Sequence, residues 1–379
     1  MTSVSRRSFL KLGAAAVILC GLGFILKEEL GKLFNPENPP ASDLHEALYY
    51  EKLVGKTLEC HLCSHNCTVV EGERGFCRSR ENIRGKYYSL VYGNPVAIHI
   101  DPIEKLPMKH VFPGTDTLCV GTACCNFRCL YCINWNIAVQ TPEDVESFPK
   151  SPEEIVQMAI DHDLSMICFT FNEATIAYEY MIDVFKLAKA KGIRTAFHTN
   201  GFMQPKPARA LLPYLDAVVV DLKAFSDELY SELAHGELQP VLDFLMLVQA
   251  EGVWLEVVNL IVPTYNDDLS DIEKLCAWIR DNLGSEVPLH FSRFFPTYKL
   301  EKLPPTPIDV LEDAIEVGRK TGLKYLYIGN VPGHKFTDTY CPQCGKNIID
   351  RKEYIIIENN IKEGKCRFCG YKIPGLWEA

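Results

Sequence analysis

The chain has no surplus of positive charge and no apolar run long enough to span a membrane easily. Lys and Arg number 39 against 49 Asp and Glu, for a formal net charge of -10. A general nucleic-acid scaffold needs a basic surface to meet phosphates, so that class is set aside. Small molecules or protein partners fit the balance better. The charge-free run Leu12–Leu26 is fifteen residues. A helix of that length covers about 22 Å, short of the ~30 Å hydrocarbon layer, so a signal h-region is the better reading. No small-x-small cleavage site stands out near Gly23, which leaves retention as an anchor open.

Ser5-Arg6-Arg7-Ser8-Phe9-Leu10-Lys11 precedes that run, and the combination resembles a twin-arginine export signal. The expectation is a cell-envelope or membrane-anchored protein, with membrane contact only through this segment. A cytoplasmic location is the alternative, because the cofactor and reductant inferred below are cytoplasmic supplies. Asn35-Pro36-Glu37-Asn38-Pro39-Pro40 follows as a linker that cannot continue a helix.

What the chain has in quantity is cysteine, 16 residues, most of them in tight groups: Cys60/63/67/77, Cys124/125/129/132 and Cys341/344/366/369. Disulfide frameworks spread cysteines through small secreted domains, whereas C-x-x-C pairs gather thiolates around a metal. Metal binding is expected. Cys20, Cys119, Cys168 and Cys276 stand alone and read as buried apolar residues.

From Thr117 onward, β-branched runs alternate with helical stretches, the rhythm of βα units around a parallel sheet. Strands are expected over 117–121, 166–171, 194–199, 217–222, 253–261, 289–294 and 325–328. Helices are expected over Pro152–His162, with Ser151 and Glu154 as a capping box, over Ala174–Lys191 and over Leu269–Asn282. The fold class is α/β, a partial or open βα barrel, with a doubly wound sheet as the structural alternative. Either places chemistry at the carboxyl ends of the strands. Asn172-Glu173, His198 to Gly201, Asp221 to Lys223 and Pro263 to Asp267 collect there.

The tail carries two C-x-x-C-G knuckles, Cys341 to Gly345 and Cys366 to Gly370, with twenty-one residues between Cys344 and Cys366. That is a tetrahedral four-cysteine site, matching a zinc ribbon or a rubredoxin-like iron site, and four protein ligands leave no open position. The amino-terminal C-x2-C-x3-C-x9-C group, Cys60, Cys63, Cys67 and Cys77, is a second metal site. It holds either an iron–sulfur cluster or a structural zinc with His61 or His65 as alternative ligands. The expected divisions are 1–33, signal or anchor; 34–48, linker; 49–95, a metal-organised module; 96–335, barrel; and 336–379, the zinc-ribbon-like module.

Cys125, Cys129 and Cys132 are spaced C-x3-C-x2-C in one loop. Three thiolates bind three irons of a [4Fe-4S] cubane and leave the fourth iron open for a ligand. A competing register, Cys124, Cys129 and Cys132 with Cys168 as fourth ligand, has plant-type ferredoxin spacing.

The triplet with Tyr131 before its last cysteine resembles the radical S-adenosylmethionine (radical SAM) superfamily signature. Longer segments resemble one branch, the radical enzymes of the AmmeMemoRadiSam system, related to the pyruvate formate-lyase activating enzymes. They include Cys60 to Cys67, Pro102 to Pro107, Gly121 to Trp135, His198 to Phe202, Asp221 to Lys223, His290 to Pro296 and Tyr327 to Gly333. The resemblance implies a partial (β/α)6-type barrel whose open iron chelates S-adenosylmethionine and cleaves it to a 5′-deoxyadenosyl radical. By position it implies that Glu173 receives the methionine amino group with Asn172 supplying an amide beside it. It also places Tyr131, His198, Asn200, Asp221 and Lys223 around the cofactor. Ala174 stands where the superfamily has proline, His198 where the activating enzymes have aspartate, and Phe295 falls in a segment where relatives carry histidine. The bland alternatives are that Glu173 is a helix-terminal acid and Asn200-Gly201 an ordinary turn.

The expected activity is hydrogen abstraction from a substrate, a protein by analogy with the activating enzymes or else a small molecule. An electron donor of the flavodoxin or ferredoxin class is implied, and Memo-like and AMMECR-type proteins are expected partners. The functional alternatives are a non-catalytic iron–sulfur electron carrier using the Cys124 register, and a zinc-ribbon interaction module.

Overall fold

All seven runs expected as strands form strands, and they lie side by side in chain order. The computed structural model describes residues 44–378; the signal expected over 1–33 and most of the linker lie outside the described residues. The main sheet has eight strands: β1 (Pro95–Pro102), β2 (Asp116–Thr122), β3 (Met166–Phe169), β4 (Arg194–Thr199), β5 (Ala217–Asp221), β6 (Trp254–Ile261), β7 (Leu289–Arg293) and β8 (Leu326–Gly329). Their order is sequential from β8 to β1, with β1 antiparallel to β2 and every other pairing parallel. A doubly wound sheet reverses strand order at a switch point. No reversal occurs, so the doubly wound alternative is set aside.

Parallel strands are covered on both faces and read as unbroken apolar runs; all of Met166–Phe169 is buried. Alternate residues serve two cores. Leu118, Val120, Ile167, Phe169, Phe197, Val218, Val220 and Val257 pack with helical residues such as Val184, Phe185, Leu245, Val248 and Ile279. Cys119, Met166, Cys168, Ala196, Ala217, Val219 and Val258 face the other way, onto Ile103, Leu106, Met108, Val111 and Phe112. The α-helices therefore cover one face, and the 103–112 loop fills the other.

The helix Pro152–Asp161 begins with the expected capping box: Glu154 N donates to Ser151 Oγ at 3.3 Å and Ser151 N to Glu154 Oε2 at 2.8 Å. The helix expected from Ala174 instead opens with a 3₁₀ turn, Ala174–Ala177, before Tyr178–Ala190. Glu173 caps that turn by accepting from Thr175 N at 3.0 Å, which tightens the entry.

The amino ends of β6 to β8 are closed by a buried polar network. Glu256 accepts from His110 N at 2.9 Å, Lys109 N at 3.0 Å and His290 Nε2 at 2.7 Å. Burial pushes its carboxyl up, but the His290 bond and the neighbouring positive groups outweigh that and hold it down at about 2. The carboxy-terminal segment seals this underside. Phe112 N donates to Leu376 O at 2.7 Å, Leu376 N to His110 O at 2.8 Å, and Arg351 Nη2 to Lys109 O at 2.8 Å.

The amino-terminal cysteines sit among short antiparallel strands, including Tyr50–Lys52, Leu58–Cys60, Thr68–Val69, Arg80–Ile83 and Lys86–Ser89. A fully buried ion pair, Arg80 Nη2 to Glu179 Oε1 at 2.6 Å, fastens them to the helix Tyr178–Ala190. From His45 onward the described residues form one compact unit. Among them, no helix is long and apolar enough to cross a membrane.

Candidate functional site

The loops at the carboxyl ends of β2 to β5 bring the expected residues to one rim. After β2 the chain turns at Cys124, whose φ of 76° is left-handed and unusual for a residue with a Cβ. Asn172 holds that turn. Its Nδ2 donates to Cys124 O at 2.6 Å, and its Oδ1 accepts from Thr122 N at 3.3 Å. Phe171, also left-handed at φ 73°, is tied by its carbonyl to Asn134 Nδ2. Gly121 is required beneath this contact, because a Cβ there would stand 2.9 Å from Phe171 Cδ2. Asn172 thus braces the cysteine loop with the same side-chain amide expected beside Glu173.

The loop itself rests on the end of the helix Asp227–Ala234. Arg128 N and Leu130 N donate to Ala234 O and Leu233 O, both at 2.9 Å. Phe127 packs over Gly236, where a Cβ would meet its ring at 2.5 Å. Cys125 Sγ accepts from Phe127 N at 3.3 Å, and Asn126 Oδ1 accepts from Asn200 Nδ2 at 2.7 Å. Sequence reasoning missed Asn126, Asn134 and Gly236, whose partners lie far away in the chain.

The competing ferredoxin register does not assemble. Cys124 packs with Val91, Ala123, Ile176 and Ala177, and Cys168 is buried on the opposite face of the sheet beside Cys119. Cys129 belongs to neither group.

Cys125, Cys129 and Cys132 are within electrostatic reach of one another. Among the described residues, however, only the carboxy-terminal cysteines bring three or more ligand atoms within 4.8 Å, as one ion requires. A cubane binds each thiolate to a different iron, so its ligands stand farther apart than those on one ion. Three thiols on one loop that are not all within single-ion range are compatible with a cubane. The Tyr131 hydroxyl and Asn126 Nδ2 are buried without a partner, polar groups that a bound molecule would satisfy. Burial raises all three thiols, Cys129 to about 11 with Lys223 pulling the other way.

Glu173 is buried, and its carboxylate is largely engaged. Oε1 accepts from Thr175 N at 3.0 Å, from Thr175 Oγ1 at 2.5 Å and from Thr199 Oγ1 at 2.7 Å; Oε2 accepts from Asn200 N at 2.6 Å. The bland reading of Glu173 as a helix-terminal acid therefore describes these bonds. Oε1 thus takes three donors and Oε2 one, so Oε2 is the less occupied oxygen and the one with room for a second donor. Burial raises its pKa against those bonds.

His198, Asp221 and Lys223 form a charged chain at the ends of β4 and β5. His198 Nε2 is 3.1 Å from Asp221 Oδ1, and Lys223 Nζ donates to Asp221 Oδ2 at 3.2 Å. Burial would raise Asp221, but the Lys223 and His198 charges prevail and hold it well below the carboxylate range. The Lys223 ammonium lies 5.8 Å above the Tyr131 ring, linking the chain to the cysteine loop. Asn266 Nδ2 donates to Lys223 O at 2.8 Å and Tyr230 Oη accepts from Lys223 N at 3.0 Å, so two further loops fix this residue. In the Arg293-Phe294-Phe295-Pro296 segment, Arg293 Nε donates to Thr306 O at 2.8 Å and Phe295 is exposed.

The carboxy-terminal group is gathered for a single ion. Cys341 Sγ is 3.6 Å from Cys369 Sγ and Cys344 Sγ 3.8 Å from Cys366 Sγ. Gly345 N and Gly370 N close the two knuckles onto Cys341 O and Cys366 O at 2.9 and 2.8 Å. Burial pushes Cys341 up to about 12, whereas the Lys346 amide draws exposed Cys344 down to about 7.

Residues 119–279 match the family described as the Radical SAM superfamily. "Uncharacterized protein MJ0808" of Methanocaldococcus jannaschii is 44% identical over 334 residues, covering 87% of this chain and 99% of that one. The pyruvate formate-lyase-activating enzyme of Clostridium pasteurianum is 30% identical over 160 residues, covering 41% of this chain and 66% of that one. Among solved structures, Streptococcus suis SuiB aligns with a TM-score of 0.46 and 13% identity over 60% of this chain and 52% of that one. Residues 119–279 form a domain of the radical SAM superfamily, and the chain is homologous to the pyruvate formate-lyase activating enzymes. Membership implies a [4Fe-4S] cluster and S-adenosylmethionine as cofactors.

Proposed function

We propose that this enzyme holds its [4Fe-4S] cluster through Cys125, Cys129 and Cys132, inside a partial (β/α)6-type barrel made by the parallel strands. It reductively cleaves S-adenosylmethionine and abstracts hydrogen from a substrate, and the homology to activating enzymes supports a protein in that role. The single observation carrying this reading is the convergence of the triplet loop with Glu173, His198, Asp221 and Lys223 on consecutive strand ends. When bound, the cofactors supply the electron and the 5′-deoxyadenosyl radical.

The chain's own residues position and shield. Glu173 Oε2 offers its remaining acceptor position to the methionine ammonium, a charge-assisted bond. Asn200 ties that carboxylate to the cysteine loop, because its amide donates to Glu173 and its side chain to Asn126. Lys223 and Asp221 present opposite charges at the mouth, suited to a zwitterion and a ribose. The four carboxy-terminal cysteines hold a structural zinc, since they close all four positions of a tetrahedral ion.

The wider setting belongs to the same proposal. The enzyme takes electrons from a flavodoxin- or ferredoxin-class donor and works with Memo-like and AMMECR-type proteins as part of an AmmeMemoRadiSam system. A twin-arginine-type leader directs it to the cell envelope.

The test is anaerobic reconstitution with dithionite and S-adenosylmethionine, followed by assay for 5′-deoxyadenosine. Wild type should form it, and Cys129→Ala should not, with carboxy-terminal zinc unchanged. Cleavage retained in Cys129→Ala contradicts the ligand assignment.

A further inference from the structure

The amino-terminal cysteines are not gathered as the carboxy-terminal ones are. Cys60, Cys63, Cys67 and Cys77 share one patch within electrostatic reach of each other. Yet no three of them, with or without a histidine, bring ligand atoms within 4.8 Å. The same protein thus contains an internal standard for a single-ion site and a second four-thiol group that departs from it. That departure is shared with the Cys125, Cys129, Cys132 triplet.

The backbone is built to aim these thiols at a common space. Cys60 N donates to Cys67 O at 2.9 Å, which sets the two side by side, and Asn66 N closes the turn onto Cys63 O at 3.2 Å. Arg78 N bonds Gly75 O at 2.9 Å and folds Cys77 back toward them. Gly75 is needed there: a Cβ would stand 2.6 Å from Tyr87 Oη and 3.6 Å from Cys67 Sγ. Two donors already point at sulfur, Phe76 N to Cys67 Sγ at 3.3 Å and Ser79 Oγ to Cys77 Sγ at 3.2 Å. Hydrogen bonds to sulfur are one of the means by which a protein tunes an iron–sulfur cluster.

Two buried polar groups remain unsatisfied beside the thiols. Tyr87 Oη and Arg80 Nε have no partner, although both residues are almost wholly buried. The Arg80 guanidinium spends its terminal nitrogens on Glu179 and Leu48 O. It leaves Nε and its positive charge next to Cys60 and Cys77. Glu179 already neutralises that charge, so what remains is two buried donors, Arg80 Nε–H and Tyr87 Oη–H, which acceptors such as thiolate or sulfide sulfur would satisfy.

The histidines are turned elsewhere. His65 Nε2 is 2.6 Å from Asn126 O, and its ring packs between Phe76 and Phe202. His61 Nε2 stands 3.9 Å from both Glu51 and Glu59.

We propose that Cys60, Cys63, Cys67 and Cys77 hold a second iron–sulfur cluster, with all four thiolates supplied by the protein. No corner is open to a substrate. The site carries electrons, accepting one from a reduced flavodoxin- or ferredoxin-class donor and giving one up, with no bond made or broken. Its position is apt for this. Ser64 N bonds Phe202 O at 3.2 Å, Arg128 bonds Phe76 O and lies 4.5 Å over its ring, and His65 reaches Asn126. The loop carrying the second group therefore lies directly on the loop Cys125–Cys132.

The test is a full-length Cys125→Ala/Cys129→Ala/Cys132→Ala variant, reconstituted anaerobically with iron and sulfide. A single zinc or iron carries no acid-labile sulfide, so the carboxy-terminal site does not interfere. The expected result is about four irons and about four sulfides per chain from one remaining cubane. A dithionite-reduced paramagnetic signal should accompany them, and both should vanish when Cys63→Ser and Cys67→Ser are added. Cys129→Ala alone gives the same reading if the triple variant is insoluble, because wild type should then exceed it by about one cubane. Absence of sulfide from the triple variant, or zinc bound in its place, overturns the proposal. Sulfide retained there while wild type fails to cleave S-adenosylmethionine would instead count against the main reading alone.

Discussion

Lys223 and Asp221 are two residues apart and form an ion pair of 3.2 Å, with the same ammonium 5.8 Å above the Tyr131 ring. One side chain thereby joins the end of β5 to the cysteine loop. Lys223→Met should leave the cluster in place, because no cysteine is removed. It should weaken S-adenosylmethionine binding about tenfold to a hundredfold, the range of a lost charged hydrogen bond of about 1.5–3 kcal/mol. Equilibrium binding beside an iron assay separates the two quantities. An iron loss equal to the binding loss would contradict this role.

Asn172 clamps Cys124 O, and its own partners are in part buried. Asn172→Ala leaves that carbonyl and Thr122 N without the bonds that hold a left-handed turn. A cost of about 1–3 kcal/mol follows from stranded polar groups. The expected signs are a lower denaturant midpoint and reduced iron retention. Asn172→Asp keeps the acceptor for Thr122 N but loses the donor to Cys124 O, so it should fall between.

Arg80 and Glu179 are buried together, with Nη2 to Oε1 at 2.6 Å and to Oε2 at 2.7 Å. Removing one partner leaves the other charge buried and alone, at a cost of about 3–5 kcal/mol. Arg80→Met and Glu179→Leu should each be strongly destabilised, and the double variant less so than the sum of the two. Urea unfolding of the three variants measures the coupling, and strict additivity would rule out the pair as a unit.

Stability should fall in mild acid because of the underside network. Burial lowers His110 from its usual value of 6.5 to about 4, against the pull of Glu256. The unfolded chain takes up the proton first, so stability is level above the usual value. It is then lost as pH falls toward the folded value, by at most about 3 kcal/mol. His290 is lowered in the same direction, and Glu256, held at about 2, extends the loss to lower pH. Unfolding midpoints compared near neutrality and near about pH 5 should show this slope, and His110→Asn should flatten it.

Local patterns made the strands and the rim legible. Continuous β-branched runs such as Val218-Val219-Val220 leave only a buried strand as a reading, and Cys125, Cys129 and Cys132 announce a metal by spacing alone. The capping box at Ser151 was visible for the same reason, since its partners are three residues apart. The bracing residues were not. Asn172 reads like any polar loop residue until its partner 48 positions earlier is known, and Asn126 depends on Asn200, 74 positions away. Glu173 misled in a different way: its role at the head of a 3₁₀ turn and its expected role toward a cofactor use the same carboxylate. The spacing of the amino-terminal cysteines left the choice between a cluster and a zinc open, because it does not record how far apart the sulfurs stand.

The seal between His110 and the carboxy-terminal segment joins residues 264 positions apart, as in the His110 Nδ1 contact with Pro374 O at 2.6 Å. Closing so long a loop is entropically uphill until its contacts form, which places this step late in folding. A refolding chain should protect the amides of β3 to β5 early and those of Phe112 and Leu376 last, as pulse-labelled hydrogen exchange would read. Until that final closure His110 lacks its Pro374 and Leu376 partners, so the underside should be most open to proteases and to proton uptake in that interval.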